Sequence, residues 1–266
     1  FYFQKTLPMR TLSVLILCVL SLAALTSCDR IAGHGPFTTE TRDTGPFTGV
    51  VSEIPGSVEL YPGSATGVEV YAQRNIQDVL ETRVPDGVLH LYFRRNVHLA
   101  SHTRIRVVIH LPRLTLVALQ GSGAVKVKGV LSADAAELSV AGSGTLYADS
   151  VIMTDALGLS ISGSGSIQAG YLDAAKGKFS VGGSGSIVAD AGEVNDLHVD
   201  LSGSGDVDLG PLRITDAEIH GSGSGDTRLG ETTTLVAYIS GSGNVYYRGT
   251  PAVTAHVSGS GKVKSW

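Results

Sequence analysis

The residues that could perform chemistry recur at regular intervals in the second half of the chain. Ser180, Asp200 and His220 follow one another at 20-residue intervals and supply the side-chain types of a serine hydrolase. A catalytic triad needs the histidine between the serine and the acid. If successive repeats stack as strands about 4.8 Å apart, Asp200 lies in the middle, and Ser180 and His220 are about 9.6 Å apart. The sequence therefore predicts no triad, and we identify no other catalytic residue.

The histidines are candidate zinc ligands, but their spacing is unfavourable. His220 and His256 are two repeats apart, whereas two nitrogens that share a zinc ion each approach it to about 2.0–2.1 Å. His98 and His102 have the i, i+4 spacing of a helix, yet their segment is typical of a loop that enters a strand. No third ligand lies nearby in the sequence. We therefore expect no metal site and no cofactor.

Aspartates recur beside the repeat motif. Asp206 and Asp226 each follow a Gly-Ser-Gly, as in calcium-binding repeats, but those repeats have a nine-residue period, so we interpret both as solvated turn residues. Asp206 and Asp208 share a strand face, which keeps a polysaccharide-active enzyme as a less favoured alternative. A second set, interpreted as Asx-type turns between rungs, comprises Asp134, Asp155, Asp196 and Asp216.

The element that positions these residues is the Gly-Ser-Gly repeat. It occurs eight times at intervals of 18 to 21 residues, and such a period indicates a solenoid of stacked repeats. A corner between packed strands needs positive φ or a close backbone approach, and glycine allows both. The predicted corner glycines are Gly121, Gly123, Gly142, Gly144, Gly163, Gly165, Gly183, Gly185, Gly203, Gly205, Gly223, Gly225, Gly241, Gly243, Gly259 and Gly261.

Apolar residues flank every corner in a fixed pattern. Positions two and four before each Gly-Ser-Gly are almost all apolar, as is the second position after it; Val117, Leu119 and Val125 are the first set. This alternation places one face of each strand in a core, which a flexible Gly/Ser linker would not do. Gly221 and Thr227 interrupt the columns, so we expect a thinner or bulged sixth rung. The repeat length fits two long sheets or three short ones.

The N-terminus is typical of an export signal. Lys5 and Arg10 precede an apolar run, residues 12–25, that is too short to span a bilayer as a helix. The run ends in Leu-Thr-Ser-Cys, which resembles a bacterial lipobox, so we predict a signal peptide over residues 1–28 with Cys28 lipidated. Met9 is the expected start. The alternative is an ordinary secretory signal with an incidental cysteine.

Cleavage before Cys28 would remove Lys5 and Arg10 but no acidic residue, and would change the net charge from −4 to −6. A negative chain is a poor partner for nucleic acid. We expect attachment to a membrane through the N-terminal lipid in the bacterial cell envelope, with the outer membrane favoured over the inner one. Which side of that membrane the protein faces stays open.

Three regions follow the predicted signal. Residues 29–44 contain several structure breakers and no apolar period, which predicts a flexible tether. Residues 45–115 contain alternating segments typical of an antiparallel β region, with a hairpin at Asp86-Gly87 and a single helical turn over Asn75 to Glu81, capped by the asparagine. Residues 116–266 are predicted to form the all-β solenoid.

The eight Gly-Ser-Gly repeats, behind this strand region and a lipoprotein signal, resemble the family known as putative autotransporter adhesin, head GIN domain. The resemblance covers residues 46 to 266 and rests on the period and the corners. It implies a right-handed parallel β-helix of the pectin-lyase-like kind that is exported to the envelope. It also implies an adhesive role without established catalytic residues.

The remaining functional candidate is a surface stripe on the last rungs. Polar and aromatic side chains three residues before the corners, together with neighbours across the corner, could bind glycans or protein strands. The stripe comprises Asp200, His220, Tyr238, His256, Arg228 and Tyr246, with Asp208 beside them. The favoured function is a non-enzymatic adhesin or binding module, and the alternative is a structural or assembly component of the envelope. Lysines on the last rung favour a monomer or weak oligomer.

Overall fold

The computed structural model describes residues 29–63, 65–100 and 104–266. The predicted signal peptide, Cys28 and His102 lie outside these ranges. Among the described residues, no helix is long and apolar enough to cross a membrane. The elements in chain order are β1 (Asp29–Ile31), β2 (Phe37–Arg42), β3 (Gly49–Ser52), β4 (Ser57–Pro62), β5 (Gly67–Gln73), α1 (Arg74–Gln77), β6 (Leu80–Arg83), β7 (Val88–Phe93), β8 (Val97–Leu99), β9 (Arg106–Leu111), β10 (Leu116–Gly121), β11 (Ala124–Gly142), β12 (Thr145–Gly163), β13 (Ser166–Val181), β14 (Ser186–Ala189), β15 (Gly192–Leu201), β16 (Asp206–Gly221), β17 (Thr227–Ile239), β18 (Val245–Arg248), β19 (Ala252–Val257) and β20 (Val263–Ser265).

The repeats form a β-solenoid in which each rung is stacked in parallel on the one before it, as predicted. A full rung has three short strand segments; in β11 these are residues 124–127, 130–133 and 135–142. We call the three resulting sheets face A, before each Gly-Ser-Gly corner; face B, directly after it; and face C, between them. The structure thus decides between the two expected arrangements in favour of three sheets.

The apolar columns stack inside the solenoid. Leu119, Val140 and Ile161 are paired in register on successive rungs and are at most 2% exposed. Phe179 fills the adjacent column and is fully buried. Because each strand alternates inward and outward side chains, the same register exposes a second set of columns on the outer surface.

The corner glycines are required by close approach of the stacked backbones. The Gly121 carbonyl accepts hydrogen bonds from the backbone N–H groups of Ser143 and Gly144 on the next rung, at 3.0 and 2.8 Å. A Cβ placed on Gly144 would lie 2.6 Å from the Gly123 carbonyl oxygen, closer than any real Cβ contact. The same carbonyl ladder continues through later corners, so each rung leaves no room for a side chain on the next.

The rungs shorten at corners other than the Gly-Ser-Gly corner. Between β16 and β17, residues 210–212 lie opposite the single residue Gly230, which removes two residues from the rung. The expected irregularity therefore lies between faces B and C. It does not lie at the two interruptions of the columns, because Gly221 remains paired with Ile239 and Thr227 is buried in the core at 1% exposure.

The N-terminal region differs from the expected tether and antiparallel region. β2 pairs antiparallel with β5, and β1 pairs with β8, so residues 29–44 contribute strands. The buried Gln77 amide donates to the carbonyls of Thr38, Val70 and Ala72, and so ties β2 to β5. The prediction of a flexible tether was wrong because these short polar strands are stabilised by partners that are distant in the chain.

Residues 45–115 are a mixed sheet rather than a purely antiparallel one. β3 and β4 pair in parallel with β10 and β11, and β7 and β9 pair in parallel with β3 and β4, so the solenoid already begins here. β5 pairs antiparallel with β9. The Asp86-Gly87 hairpin is confirmed: β6 and β7 pair antiparallel, and both turn residues have positive φ.

The single helical turn is shifted relative to its prediction. α1 is preceded by Gln73 and has no side-chain cap, and residues from Leu80 onward form β6. Asn75 lies inside the turn, where its amide donates to the Ala32 carbonyl and its Oδ1 accepts the His34 N–H. The asparagine therefore anchors a distant segment instead of capping the turn.

Three of the four aspartates expected to form Asx-type turns bond to other rungs instead. Thr154 donates to Asp134, Lys176 pairs with Asp155 at 3.4 Å, and Thr234 donates to Asp216. Asp196 is paired in register with Lys176 and Asp216. Stacking brings equivalent corner residues close together, so contacts between rungs replace the local turn bonds.

Candidate functional site

The most varied surface of the solenoid is the outer side of face A over the last rungs. The backbone register places Ser180, Asp200, His220, Tyr238 and His256 next to one another in this order. This is the column that the repeat spacing predicted. Asp200 stands between Ser180 and His220, which is the arrangement that argued against a triad.

Three rings of this column stack on one another. The His220 and Tyr238 centroids are 4.8 Å apart with 26° between their planes, and those of Tyr238 and His256 are 5.0 Å apart with 10° between them. Tyr238 remains 40% exposed. Because the strand spacing fixes the ring spacing, the solenoid presents a continuous aromatic surface.

A shallow groove of about 610 Å³ runs along the ring stack. A row of serines one position before each corner also lines this groove. These serines are Ser202, Ser222, Ser240 and Ser258. An arrangement of stacked rings beside hydroxyl donors and acceptors suits a ligand with one apolar and one polar edge.

Arg228 and Tyr246 lie apart from this groove. They belong to face B, beyond the corner, where the Arg228 guanidinium lies 5.6 Å from the Tyr246 ring centroid and the Lys264 ammonium 5.0 Å from it. Asp208 precedes Arg228 in the same column. The predicted stripe is therefore two surfaces, of which face A carries the groove and face B a cation–π stack.

Sequence reasoning missed two residues beside the ring column. His198 and Glu218 occupy the next outward column, two residues before Asp200 and His220, and are paired in register with each other. His198 Nε2 lies 3.2 Å from Asp200 Oδ2, and His220 Nε2 lies 2.7 Å from Glu218 Oε1. The signal was available, because strand alternation places positions three and five before each corner on the same face.

The electrostatics of this cluster favour an ionised Glu218. The hydrogen bond from His220 holds the pKa of the Glu218 carboxyl below its ordinary value, and the charges of His198 and His220 act in the same direction. Desolvation opposes this shift. The cluster thus retains a carboxylate between two imidazoles.

A second and larger groove, of about 1090 Å³, continues along face A toward the N-terminal rungs. Its centre is lined by Ala135, Ala156 and Gly158, which carry at most a methyl group and leave a depression between Glu137 and Lys178. His198 and Glu218 line its C-terminal part, and Asp200 and His220 line the ring groove. The two grooves therefore meet at the histidine cluster.

The other candidate residues take structural positions. His98 lies in the strand β8 rather than in a helix. Asp206 Oδ1 accepts the backbone N–H of Asp226, and Asp226 Oδ1 accepts that of Asn244, so both aspartates have hydrogen-bonding roles between rungs. Asp208 accepts the Gly210 N–H.

A known protein family matches most of the solenoid. A family model described as "Putative auto-transporter adhesin, head GIN domain" matches residues 46–251. The chain belongs to this family. The resemblance inferred from the repeats is thereby confirmed. No curated protein matches the chain.

Solved structures share the GIN-domain solenoid. A putative adhesin from Parabacteroides merdae superimposes with a TM-score of 0.80 at 22% identity, covering 90% of this chain and 99% of its own. A putative lipid binding protein from Parabacteroides distasonis gives 0.79 at 24% identity, covering 90% and 100%. A putative adhesin from Bacteroides fragilis gives 0.67 at 19% identity, covering 89% and 100%. At these identities the similarity establishes the fold.

Proposed function

We propose that this GIN-domain protein is a non-enzymatic, adhesin-like module of the bacterial envelope that binds glycans on face A. The observation that carries the proposal is the stack of His220, Tyr238 and His256 along a groove that a row of serines also lines. Membership of an adhesin family supports a surface or envelope location.

The chemistry of the groove fits a sugar chain. The apolar face of a pyranose packs on an aromatic ring, while its hydroxyls need donors and acceptors at the edge. Tyr238 is the central ring and is exposed, and Asp200 adds an acceptor at one end of the row. Since the rings repeat at the strand spacing, an extended chain would contact several rungs at once.

The apolar groove extends the same face. Its small central residues would admit a bulkier, partly apolar section of the ligand, beside the Lys176 and Lys178 ammonium groups. A glycan attached to a lipid would place its sugar on the rings and its apolar part over Ala156 and Gly158. Face A therefore supports an elongated envelope ligand better than a compact one.

The test compares two tyrosines on different faces. Purified wild-type protein is applied to an array of bacterial-envelope and host glycans, and affinities for the bound glycans are then measured for Tyr238→Ala and Tyr246→Ala. We expect Tyr238→Ala to weaken binding by about tenfold or more, as for a central aromatic contact. Tyr246→Ala, on face B, should bind as the wild type does.

Two results would contradict the proposal. The first is a wild-type protein that binds no glycan on the array, and the second is equal binding by Tyr238→Ala and the wild type. Circular dichroism of both variants checks that the fold is intact. Because Tyr238 is exposed, its removal should leave the core unchanged.

We further propose that Cys28 carries the lipid anchor and that the mature chain is attached to the outer membrane. The lipobox-like Leu-Thr-Ser-Cys supports this, as does an envelope family. A lipid at Cys28 would place the anchor directly before β1 (Asp29–Ile31), so the folded part would begin close to the membrane surface.

A further inference from the structure

We propose that His198, Glu218 and His220 form a surface binding site for a divalent transition-metal ion of the zinc type. Each of the three side chains offers one ligand atom, and these atoms all lie within 4.8 Å of one another. Two imidazoles and a carboxylate are a ligand set that zinc accepts. This inference is independent of glycan binding, because its evidence is the geometry of the cluster alone.

The solenoid register holds the three ligands together. His198 and Glu218 are paired on adjacent rungs, and His220 is two residues after Glu218 on the same strand and face. The ring centroids of the two histidines are 5.1 Å apart. His198 Nδ1 lies 3.9 Å from Glu218 Oε2, and His220 Nε2 lies 2.7 Å from Glu218 Oε1.

These separations are close to those of a tetrahedral site. Metal–ligand bonds of about 2.0–2.1 Å place tetrahedral ligand atoms roughly 3.4 Å from one another. The 3.9 and 2.7 Å separations go to different oxygens of Glu218 and lie on either side of this value, and the three ligand atoms lie within 4.8 Å of one another. Side-chain rotations would therefore be needed to bring one atom of each residue to the ion. The side chains are partly exposed, at 36% for His198 and 41% for His220, and such side chains rotate at little cost.

A second carboxylate lies beside the three ligands, where it can orient the His198 ring. Asp200 is paired in register with His220, and its Oδ2 lies 3.2 Å from His198 Nε2. The histidines and acids thus alternate in a two-by-two block, with each imidazole next to two carboxylates. Coordination through His220 Nε2 would replace its hydrogen bond to Glu218, and the ring proton would then lie on Nδ1.

The expectation of no metal site rested on distances within one outward column and on the pair His98 and His102, which has no third ligand nearby in the sequence. His220 and His256 are indeed separated by the Tyr238 ring. The second histidine of the proposed site comes from the neighbouring column, which the structure places beside the first. His256 therefore provides a matched control on the same surface.

The experiment measures Zn²⁺ binding directly by titration calorimetry on untagged, metal-free protein. We expect one ion per chain for the wild type. The Zn²⁺ affinity should fall in each of three ligand variants, His198→Ala, His220→Ala and Glu218→Gln. Each loss should exceed the roughly tenfold loss of affinity that a substitution outside the ligands causes. His256→Ala should retain wild-type affinity.

Substitution with Co²⁺ supplies a second readout. A site with nitrogen and oxygen ligands in tetrahedral geometry should give visible absorption bands that disappear in His220→Ala and persist in His256→Ala. No stoichiometric Zn²⁺ binding by folded wild-type protein would overturn the proposal, as would equal losses in His220→Ala and His256→Ala. A wild-type protein that binds Zn²⁺ but no glycan would contradict only the proposed function.

Discussion

At the residue scale, glycine at the corners is required mainly by sterics. Among the first glycines of the corners, Gly121, Gly142 and Gly163 have positive φ, whereas the later ones do not. Except for Gly121, the corner glycines share a backbone carbonyl of the preceding rung at the place where a Cβ would lie. The requirement therefore arises from stacking, and it holds whatever the local φ.

Gly144→Ala tests this requirement. Its Cβ would meet the Gly123 carbonyl and a Leu119 methyl, both at 2.6 Å, so neither rung could remain in place. We expect a loss of about 1–3 kcal/mol in the free energy of unfolding, as for other overpacked sites. The measurement is urea unfolding followed by circular dichroism.

Gly221→Ala is the matched control for that substitution. Gly221 also lies next to a corner, but a Cβ there has no neighbour within 4 Å and φ is not positive. Replacement of this glycine should change the stability by less than about 1 kcal/mol, and reduced freedom of the unfolded chain favours an increase. Equal destabilisation by both substitutions would show that close approach is not the cause.

At the element scale, side chains directly after the corners connect the last rungs. The Asp206 carboxylate accepts the Asp226 N–H, Asp226 accepts the Asn244 N–H, and the Asn244 amide oxygen accepts the Lys262 N–H. Each side-chain oxygen therefore satisfies a backbone donor where the ladder of face B begins. An amide performs this role as well as a carboxylate, so the ladder itself needs no bound cation.

Asp226→Ala should destabilise the last rungs. The substitution removes the acceptor for both the backbone N–H and the side-chain amide of Asn244. A donor left without a partner costs about 1–3 kcal/mol. Hydrogen exchange of the Asn244 and Val245 amides should accelerate, while that of the N-terminal strands should not.

Asp226→Asn separates hydrogen bonding from charge. Its amide oxygen can accept the same N–H, as Asn244 does for Lys262. We expect stability within about 0.5 kcal/mol of the wild type. If Asp226→Asn were as unstable as Asp226→Ala, the carboxylate charge rather than the hydrogen bond would be the important property.

At the scale of the whole molecule, the solenoid continues into the N-terminal region. β3 and β4 stack beneath β10 and β11, and the antiparallel strands β2 and β5 close face B beyond β9. The rungs contact mainly their neighbours, which is characteristic of solenoids. The long outer side of face A follows directly from this stacking.

Cys28→Ser tests the attachment of the whole molecule to the envelope. Lipidation needs the thiol, so the variant should move from the membrane fraction to the soluble fraction and should not incorporate a labelled fatty acid. Protease treatment of intact cells expressing the wild type then reports whether face A is accessible from outside. Membrane attachment and fatty-acid labelling retained in Cys28→Ser would contradict the lipid anchor.

The sequence alone determined the stacked architecture and the order of residues along each column. The reason is that the period and the alternation of apolar residues are local properties, and parallel stacking in register converts them directly into neighbours. For this reason the order Ser180, Asp200, His220, Tyr238 and the family resemblance were both available from sequence.

Only the tertiary structure decided how neighbouring columns and faces meet. In the structure, His198 is paired with Glu218, and Tyr246 lies on a different face from Tyr238. Residues 29–44 contribute strands to the sheets. These outcomes depend on where each rung bends and on partners distant in the chain, and neither is encoded by a repeat period. The Gly-Ser-Gly spacing thus specified the stack, while the three bends of each rung decided which side chains share a surface.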